Sequence, residues 1–271
     1  MAPVQVKNSF SSIGAIDAGI PPTSLQLRLS ITQTSVRYFV LSQTHQQVIF
    51  FGDYILHHVS NPEELVQRFE RIVEKDEVLQ LPFNKVLVGF NDKYTLVPAE
   101  LLFLMNPNGQ LTQRCDDTEI VFDNPIGLTA SVNRAFSSAT FIHLSSSLFS
   151  LQQIYRGQGN EQLFVNVGVN FFDIVVFAAD GKLKLMNRYE YQTASDFIYF
   201  LLLCCEELKI DRDEVELVLL GEVNLQSKIY ELCYRYFKTI NFLVPSDGVQ
   251  FSKAFESFPK HLHFNLYNLN I

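Results

Sequence analysis

The sequence has no tryptophan, four cysteines, three methionines and twelve glycines in 271 residues. The cysteines, Cys115, Cys204, Cys205 and Cys233, show no Cys-x-x-Cys spacing, which argues against zinc. Cys204 and Cys205 are neighbours in a helical pattern and point to different sides. The set reads as buried, reduced thiols of a cytoplasmic protein. Long hydrophobic runs are also missing. The longest, Phe197 to Cys205, is far short of the roughly 20 residues that cross a bilayer. The stretch Met1 to Phe10 lacks the basic-then-apolar pattern of a signal peptide. Basic charge is in deficit, with 21 Lys and Arg against 29 Asp and Glu, and it is scattered along the chain. Nucleic-acid binding needs a basic stripe, so that class is excluded, and the acidity disfavours anionic membranes. No Walker loop, dinucleotide fingerprint or Gly-x-Ser-x-Gly elbow occurs.

What is present is apolar material, 47% of the chain, with 24 phenylalanines as the main filler. The length suits one large domain or two smaller ones. The pattern favours two, because it repeats. Leu25, Leu27, Leu29 and Ile31 alternate with polar residues; Val36 to Leu41 and Val48 to Phe51 follow as further strands. Val165, Val167 and Val169 alternate in the same way. Ile174 to Ala179 is continuous, Asp180-Gly181 makes a hairpin turn, and Leu183 and Leu185 open a third strand. A helix is expected after each triplet. One starts at Asn61 with Pro62 and Glu64, the other at Thr193 with Asp196, which are capping signals. Their stripes are Leu65, Phe69, Ile72, Val73 and Phe197, Leu201, Cys204, Cys205. Every pair, caps included, is 132 positions apart (193−61, 197−65, 201−69). A fourth strand follows at Lys85–Phe90 and again at Glu216–Leu220.

These signals divide the chain into an extended lead-in over 1–24, a first unit over 25–156 and a second over 157–271. The first carries an insertion at 91–135, with a short helix from Pro98 to Met105, a turn at Asn106-Pro107-Asn108-Gly109 and a strand at Glu119–Phe122. A fifth strand at 138–144 and a helix from Ser145 to Tyr155 close it, and Gly157 and Gly159 mark the boundary. The second unit adds a helix at 225–237 and a strand at Ile240–Val244. The fold class is therefore α/β, two tandem β-β-β-α-β-α-β units produced by internal duplication.

That order resembles the ribonuclease-H-like unit. Two in tandem resemble the actin, Hsp70 and sugar-kinase superfamily, and the chain is similar to an uncharacterised bacterial family with an actin-like ATPase fold. The resemblance covers about residues 25–271. In active members each unit's first hairpin holds phosphate, with an Asp-x-Gly start for the metal. Here the second hairpin reads Asn166-Val167-Gly168-Val169-Asn170-Phe171-Phe172-Asp173-Ile174 against Asp-x-Gly-Gly-Gly-Thr-Thr-Asp-Ile. Gly168, Asp173 and Ile174 match; Asn166 replaces the acid, and Phe171 and Phe172 replace hydroxyls. The first reads Ser30-Ile31-Thr32-Gln33-Thr34-Ser35-Val36-Arg37 against Asp-x-Gly-Thr-Thr-Ser-Val-Lys. Thr34, Ser35 and Val36 match; Ser30 and Thr32 replace the acid and the glycine. Gly221 stands where active members open a Gly-Gly adenosine loop, but Glu222 follows it.

The resemblance implies that Asn166, Gly168, Asp173 and Gly221 converge on a residual nucleotide cleft between the halves. No catalytic residue, required cofactor or metal site is expected, and at most weak binding of ATP with magnesium. The expected role is a non-catalytic interaction or scaffold protein with a protein partner. The alternative is a divergent ATPase or small-molecule kinase, and a third reading is a homodimer through Phe-rich surfaces. His57-His58 and a strand-borne His261-x-His263 are the remaining metal candidates, without an identifiable third ligand. The Arg68, Arg71, Lys75 face of the first helix reads as solvated.

Overall fold

The computed structural model describes residues 9–17, 19–105, 109–154, 160–244 and 249–269. It divides into two compact units. One comprises Met1–Ser146, Val249–Phe258 and Leu266–Ile271; the other comprises Ser147–Gly248 and Pro259–Asn265.

The first unit opens with β1 (Ser9–Gly14), β2 (Leu25–Ile31), β3 (Ser35–Ser42), β4 (Gln47–Ile55), helix α1 (Pro62–Lys75) and β5 (Lys85–Phe90). An excursion follows, with β6 (Tyr94–Pro98), the one-turn α2 (Leu102–Met105), β7 (Gln110–Cys115) and β8 (Thr118–Asp123). These three strands form their own sheet in the order β6-β8-β7. Helix α3 (Ile126–Ala135) and strand β9 (Ala139–His143) return the chain to the main sheet. The second unit holds the short α4 (Leu151–Ile154), β10 (Gln162–Val167), β11 (Phe171–Phe177), β12 (Leu183–Glu190), α5 (Ala194–Leu208), β13 (Glu216–Gly221), α6 (Lys228–Tyr236) and β14 (Thr239–Phe242). A two-residue strand, β15 (Gln250–Phe251), and a short helix, α7 (Phe264–Tyr267), come last.

The two sheets share one topology. The first runs β1-β4-β3-β2-β5-β9, with β15 also on β4; the second runs β12-β11-β10-β13-β14. β2, β3 and β4 pair antiparallel and β5 and β9 join parallel, as β10, β11 and β12 pair antiparallel and β13 and β14 join parallel. This is the ribonuclease-H-like order twice over, in an α/β fold. The parallel joins demand helical crossovers, which is why α1, α3, α5 and α6 sit where they do. In the second unit, Leu163, Val165 and Val167 of β10 and Phe172, Ile174 and Val176 of β11 form one face, packed with Phe197, Leu201 and Cys205 of α5. Asn166 and Asp173 alternate onto the opposite face.

Both long helices begin as their sequences predict. The Asn61 side chain accepts from the Glu64 amide at 2.8 Å, and Glu64 accepts from the Ser60 amide at 2.8 Å. Thr193 and Asp196 form a full capping box, with hydrogen bonds of 3.2 and 2.8 Å. The end of α1 is held from the sheet. Asp76 accepts from the Tyr38 and Tyr54 hydroxyls at 2.5 and 2.8 Å, and from the Val78 amide at 2.9 Å. Burial first, then the Asp76 carboxylate, pushes both phenols above their ordinary range.

Several expectations change. Residues 9–14 are not a mere lead-in: β1 pairs antiparallel along β4. Residues 126–135 do not belong with the insertion, because α3 packs on α1 as α6 packs on α5. The chain end does not stay with the second unit, since Val249–Phe258 and Leu266–Ile271 belong to the first. Pro98 closes β6 instead of opening a helix, and Leu144–Ser150 is a 3-10 helix before α4. Arg68 is buried, donating to the His57 and His58 carbonyls at 2.7 and 3.3 Å and pairing with Glu64. Asn106 to Asn108, Gly157 and Gly159 lie outside the described residues. Cys204, Cys205 and Cys233 are buried free thiols, and burial pushes Cys205 up to about 11 and Cys233 up to about 12.

Phe69 and Leu201 are both fully buried on equivalent helices. Truncating either to Ala is expected to cost about 2–5 kcal/mol in denaturant melts, with the larger loss where the cavity cannot collapse. A loss below experimental error at both positions would show that these helices do not carry their sheets.

Candidate functional site

The hairpin between β10 and β11 is built from residues the sequence singles out. Asn166 lies opposite Asp173 in the antiparallel register, and Asp173 lies opposite Arg188 of β12. Asp173 is completely buried. Such a carboxylate needs a charged partner and donors for its lone pairs. Arg188 meets it through Nε at 2.7 Å from Oδ1 and through its terminal nitrogen at 3.0 Å from Oδ2. Asn166 Nδ2 donates to Oδ2 at 3.0 Å. Both oxygens are thereby occupied by the protein itself.

Phe171 completes the enclosure. Its ring lies under the Arg188 guanidinium, 4.0 Å from centroid to Cζ. The far edge of the same ring presses on Gly168, so that a Cβ there would meet ring carbons at 2.4–2.8 Å. Gly168 is therefore a glycine because an aromatic ring covers it. Its amide donates to the Phe171 carbonyl at 2.8 Å, and its carbonyl accepts from the Tyr191 hydroxyl at 2.7 Å. Burial, and secondly the charge of Glu222, push the Tyr191 phenol upward.

Gly221 joins the same cluster from the end of β13. Its φ is +85°, and a Cβ would stand 2.2 Å from the Val167 carbonyl oxygen and 2.9 Å from Asn166 Oδ1. Only glycine fits both the conformation and the approach. The Glu222 amide donates to the Val167 carbonyl at 2.7 Å, and the Gly221 amide donates to the His261 carbonyl at 2.9 Å. Asn166, Gly168, Asp173 and Gly221 thus converge within the second unit.

The first unit's hairpin is closed differently. Thr32 Oγ1 accepts from the Ser35 amide at 3.0 Å and from the Thr34 amide at 3.3 Å. A side-chain hydroxyl so takes up two backbone donors at the tip. Behind it, Ser30 lies opposite Arg37, and Arg37 opposite Asp53, with Arg37 Nε 3.1 Å from Asp53 Oδ1. The ladder Ser30–Arg37–Asp53 matches Asn166–Asp173–Arg188, with the charges exchanged between the second and third strands.

Arg188, Tyr191 and the Arg37–Asp53 pair carry no motif signal in the sequence. One signal was there: an aspartate inside the apolar run Phe171–Phe177 must be buried and so must have a partner. His261 and His263 do not share a strand face. Both lie in a turn, His263 has φ +55°, and His261 Nε2 is 2.8 Å from the Val223 carbonyl oxygen. Burial lowers the His261 pKa more than that carbonyl raises it. Among the described residues, no three His, Cys, Asp or Glu side chains gather to hold a metal ion.

The chain belongs to the family described as "Protein of unknown function (DUF3822)", whose model matches residues 22–107 and 111–240. No curated protein matches it. Among solved structures it is similar to a Bacteroides thetaiotaomicron protein of actin-like ATPase fold and unknown function. That match has 16% identity and a TM-score of 0.72, over 84% of this chain and 94% of the other. A chain of the PilM–PilN type IV pilus biogenesis complex is 12% identical with a TM-score of 0.55, over 93% of this chain and 100% of the other. The ethanolamine utilization protein EutJ from Carboxydothermus hydrogenoformans is 10% identical with a TM-score of 0.50, over 91% of this chain and 89% of the other. At these identities the likeness establishes the fold, which is that of the actin-like ATPases.

The Asp173–Arg188 pair is expected to behave as a buried, mutually dependent unit. Arg188→Met strands a buried carboxylate and should cost about 3–5 kcal/mol. Asp173→Asn in that background should return part of the loss. A denaturant double-mutant cycle measures the coupling, and additive losses would show that the two side chains act separately.

Proposed function

We propose that this DUF3822 protein uses the actin-like ATPase fold as an interaction scaffold and does not turn over nucleotide. The observation that carries the reading is the state of Asp173, whose two carboxylate oxygens are held by Arg188 and Asn166. Phosphoryl transfer on a magnesium–triphosphate needs carboxylate or water oxygens around the metal and open donors around the phosphates. Here a guanidinium already neutralises the surviving acid and would repel a divalent cation. The ring of Phe171 lies on Gly168, and Thr32 takes the hairpin amides of the first unit. Ser30 and Asn166, neutral side chains, stand where the resemblance implies acids.

An interaction role is supported by precedent within the fold, since a structure of this architecture belongs to the PilM–PilN type IV pilus biogenesis complex. The proposed partner is a protein. The net charge of −8 argues against nucleic acid, and among the described residues no helix is long and apolar enough to cross a membrane. We assign the paired units to an internal duplication, on the strength of the matched strand orders and the capped helices, and the protein to the cytoplasm, on the strength of its free, buried cysteines. The second reading, a divergent ATPase or small-molecule kinase, is favoured by one observation: Gly221 keeps a positive φ beside the hairpin, as a nucleotide loop requires. It leaves room for weak ATP–magnesium binding without turnover.

A steady-state phosphate-release assay with magnesium and ATP is expected to give no turnover above the buffer rate. Turnover of roughly one per second, the low end for kinases, abolished by Asp173→Ala, would overturn the scaffold reading. Retention of a protein from a lysate of the native host would identify the partner.

A further inference from the structure

Edge strands present unpaired backbone groups, and proteins cover, charge or pair them. The outer edge of β4 takes two short strands. β1 pairs antiparallel with it, from Ser9 against Ile55 to Gly14 against Phe50, and β15 pairs parallel with Gln47 and Val48. The equivalent strand of the second unit, β12, ends its sheet, and among the described residues no strand pairs with its outer side. A strand triplet of this kind therefore stands without a further strand beside it.

β1 is lightly held. Ser9, Phe10, Ser11 and Ser12 are exposed, and Ile13 and Gly14 are half-buried. In β2 and β3, by contrast, every residue but Gln26 and Arg37 is buried. None of the described residues between β1 and β2 is buried either. Ladder hydrogen bonds with little apolar area behind them are what opens first in a folded chain. β1 also leaves the edge half used. Its Ser9 stands opposite Ile55, which is 42% exposed, and Phe10 lies against Tyr54 with ring centroids 4.3 Å apart. A β-branched residue opposite Ile55 would make a favourable apolar pair where serine does not.

The edge also specifies what it accepts. Tyr54 is a fixed platform, because its hydroxyl donates to Asp76 at 2.8 Å, so an aromatic ring in the place of Phe10 meets a ring. In the place of Gly14 a side chain is excluded: φ is +89°, and a Cβ would stand 2.1 Å from the Ile49 carbonyl oxygen. A second copy's β1 would bring the same serines and gain nothing over the tethered resident. A strand that displaces β1 must therefore differ from it in sequence. We infer that the outer edge of β4 is a docking site for an extended segment of a partner protein. That segment carries a β-branched residue opposite Ile55, an aromatic residue next to it on Tyr54 and a glycine four positions beyond the aromatic. β1 is the strap that occupies the edge until the segment enters and takes over its ladder hydrogen bonds. The inference rests on the interaction role proposed above and names the kind of partner.

The chain has no tryptophan, so Phe10→Trp in the full chain places a single reporter on β1. The probe is a synthetic peptide with the sequence of residues 9–16 and the change Ser9→Val. It is expected to release β1 and shift the tryptophan emission to the red, saturably. The same peptide with Gly14→Val should produce no shift, since its side chain meets the Ile49 carbonyl. Ser9→Cys with Ile55→Cys should lock β1 in place and abolish the shift until the disulfide is reduced. Residues opposite each other have Cα atoms about 4.5–5.5 Å apart, within disulfide reach. Hydrogen exchange of the wild type with the peptide should show β1 amides exposed while those of β4 stay protected. No shift together with unchanged exchange at β1, an equal response to the Gly14→Val peptide, or a response that survives the lock would each overturn the inference. A wild-type dimer split by the peptide would put a second copy's β1 on the edge and overturn it as well. The assay contains no nucleotide, so its failure is separate from that of the scaffold reading, which phosphate release decides.

Discussion

A fully buried carboxylate in the middle of a strand constrains everything around it, and Asp173 is that carboxylate. Left alone it would carry an uncompensated charge in a low-dielectric interior, at a cost of several kcal/mol. The strand register places Arg188 opposite it, and the guanidinium fork matches the carboxylate in two contacts. Phe171 then lies under the guanidinium, and its ring reaches Gly168. Asn166 takes the remaining acceptor position and brings its oxygen to the bare face of Gly221. One ion pair thus links the side chains around the hairpin, from Asn166 to Phe171 and Gly168.

The first unit carries the matching ion pair with the signs reversed. Arg37 and Asp53 occupy the matching places in β3 and β4, and the pair is somewhat more exposed than its counterpart. The ladder is indifferent to which strand supplies the acid; it requires only that the charges cancel. Phosphate chemistry is not indifferent, because it needs negative oxygens free to hold a cation and positive donors free to hold phosphate. The proposed scaffold role rests on that difference: in both units the charged side chains of the hairpin strands are paired with each other. The proposed scaffold role leaves the sheets intact and relies on their surfaces.

Tertiary contacts also explain where reading along the chain fell short. Arg68 looked like part of a solvated stripe because it follows the helical charge pattern. It is buried because the loop after β4 presents two carbonyls to it. The segment at residues 9–14 has no periodicity of its own, and pairing with β4 alone makes it a strand. The short strand β15 is likewise defined by a partner distant in sequence. The pair His261 and His263 suggested a strand by spacing, yet the turn that holds them is set by contacts with Val223 and Gly221.

The sequence by itself determined the two strand triplets, the caps at Asn61 and Thr193, the helical stripes that follow them, and hence the fold class. Each of these depends on residues within one or two turns of each other, and local hydrogen bonds and hydrophobic periodicity suffice. The residues at the hairpins were legible too, since Ser30, Thr32, Asn166 and Gly168 are local facts. Only the tertiary structure decided what became of the acid that remained. Asp173 meets Arg188 across a strand pair, and Gly221 meets Asn166 across a parallel join. Register in a sheet is set by the packing of whole faces, and no stretch of sequence contains that information on its own.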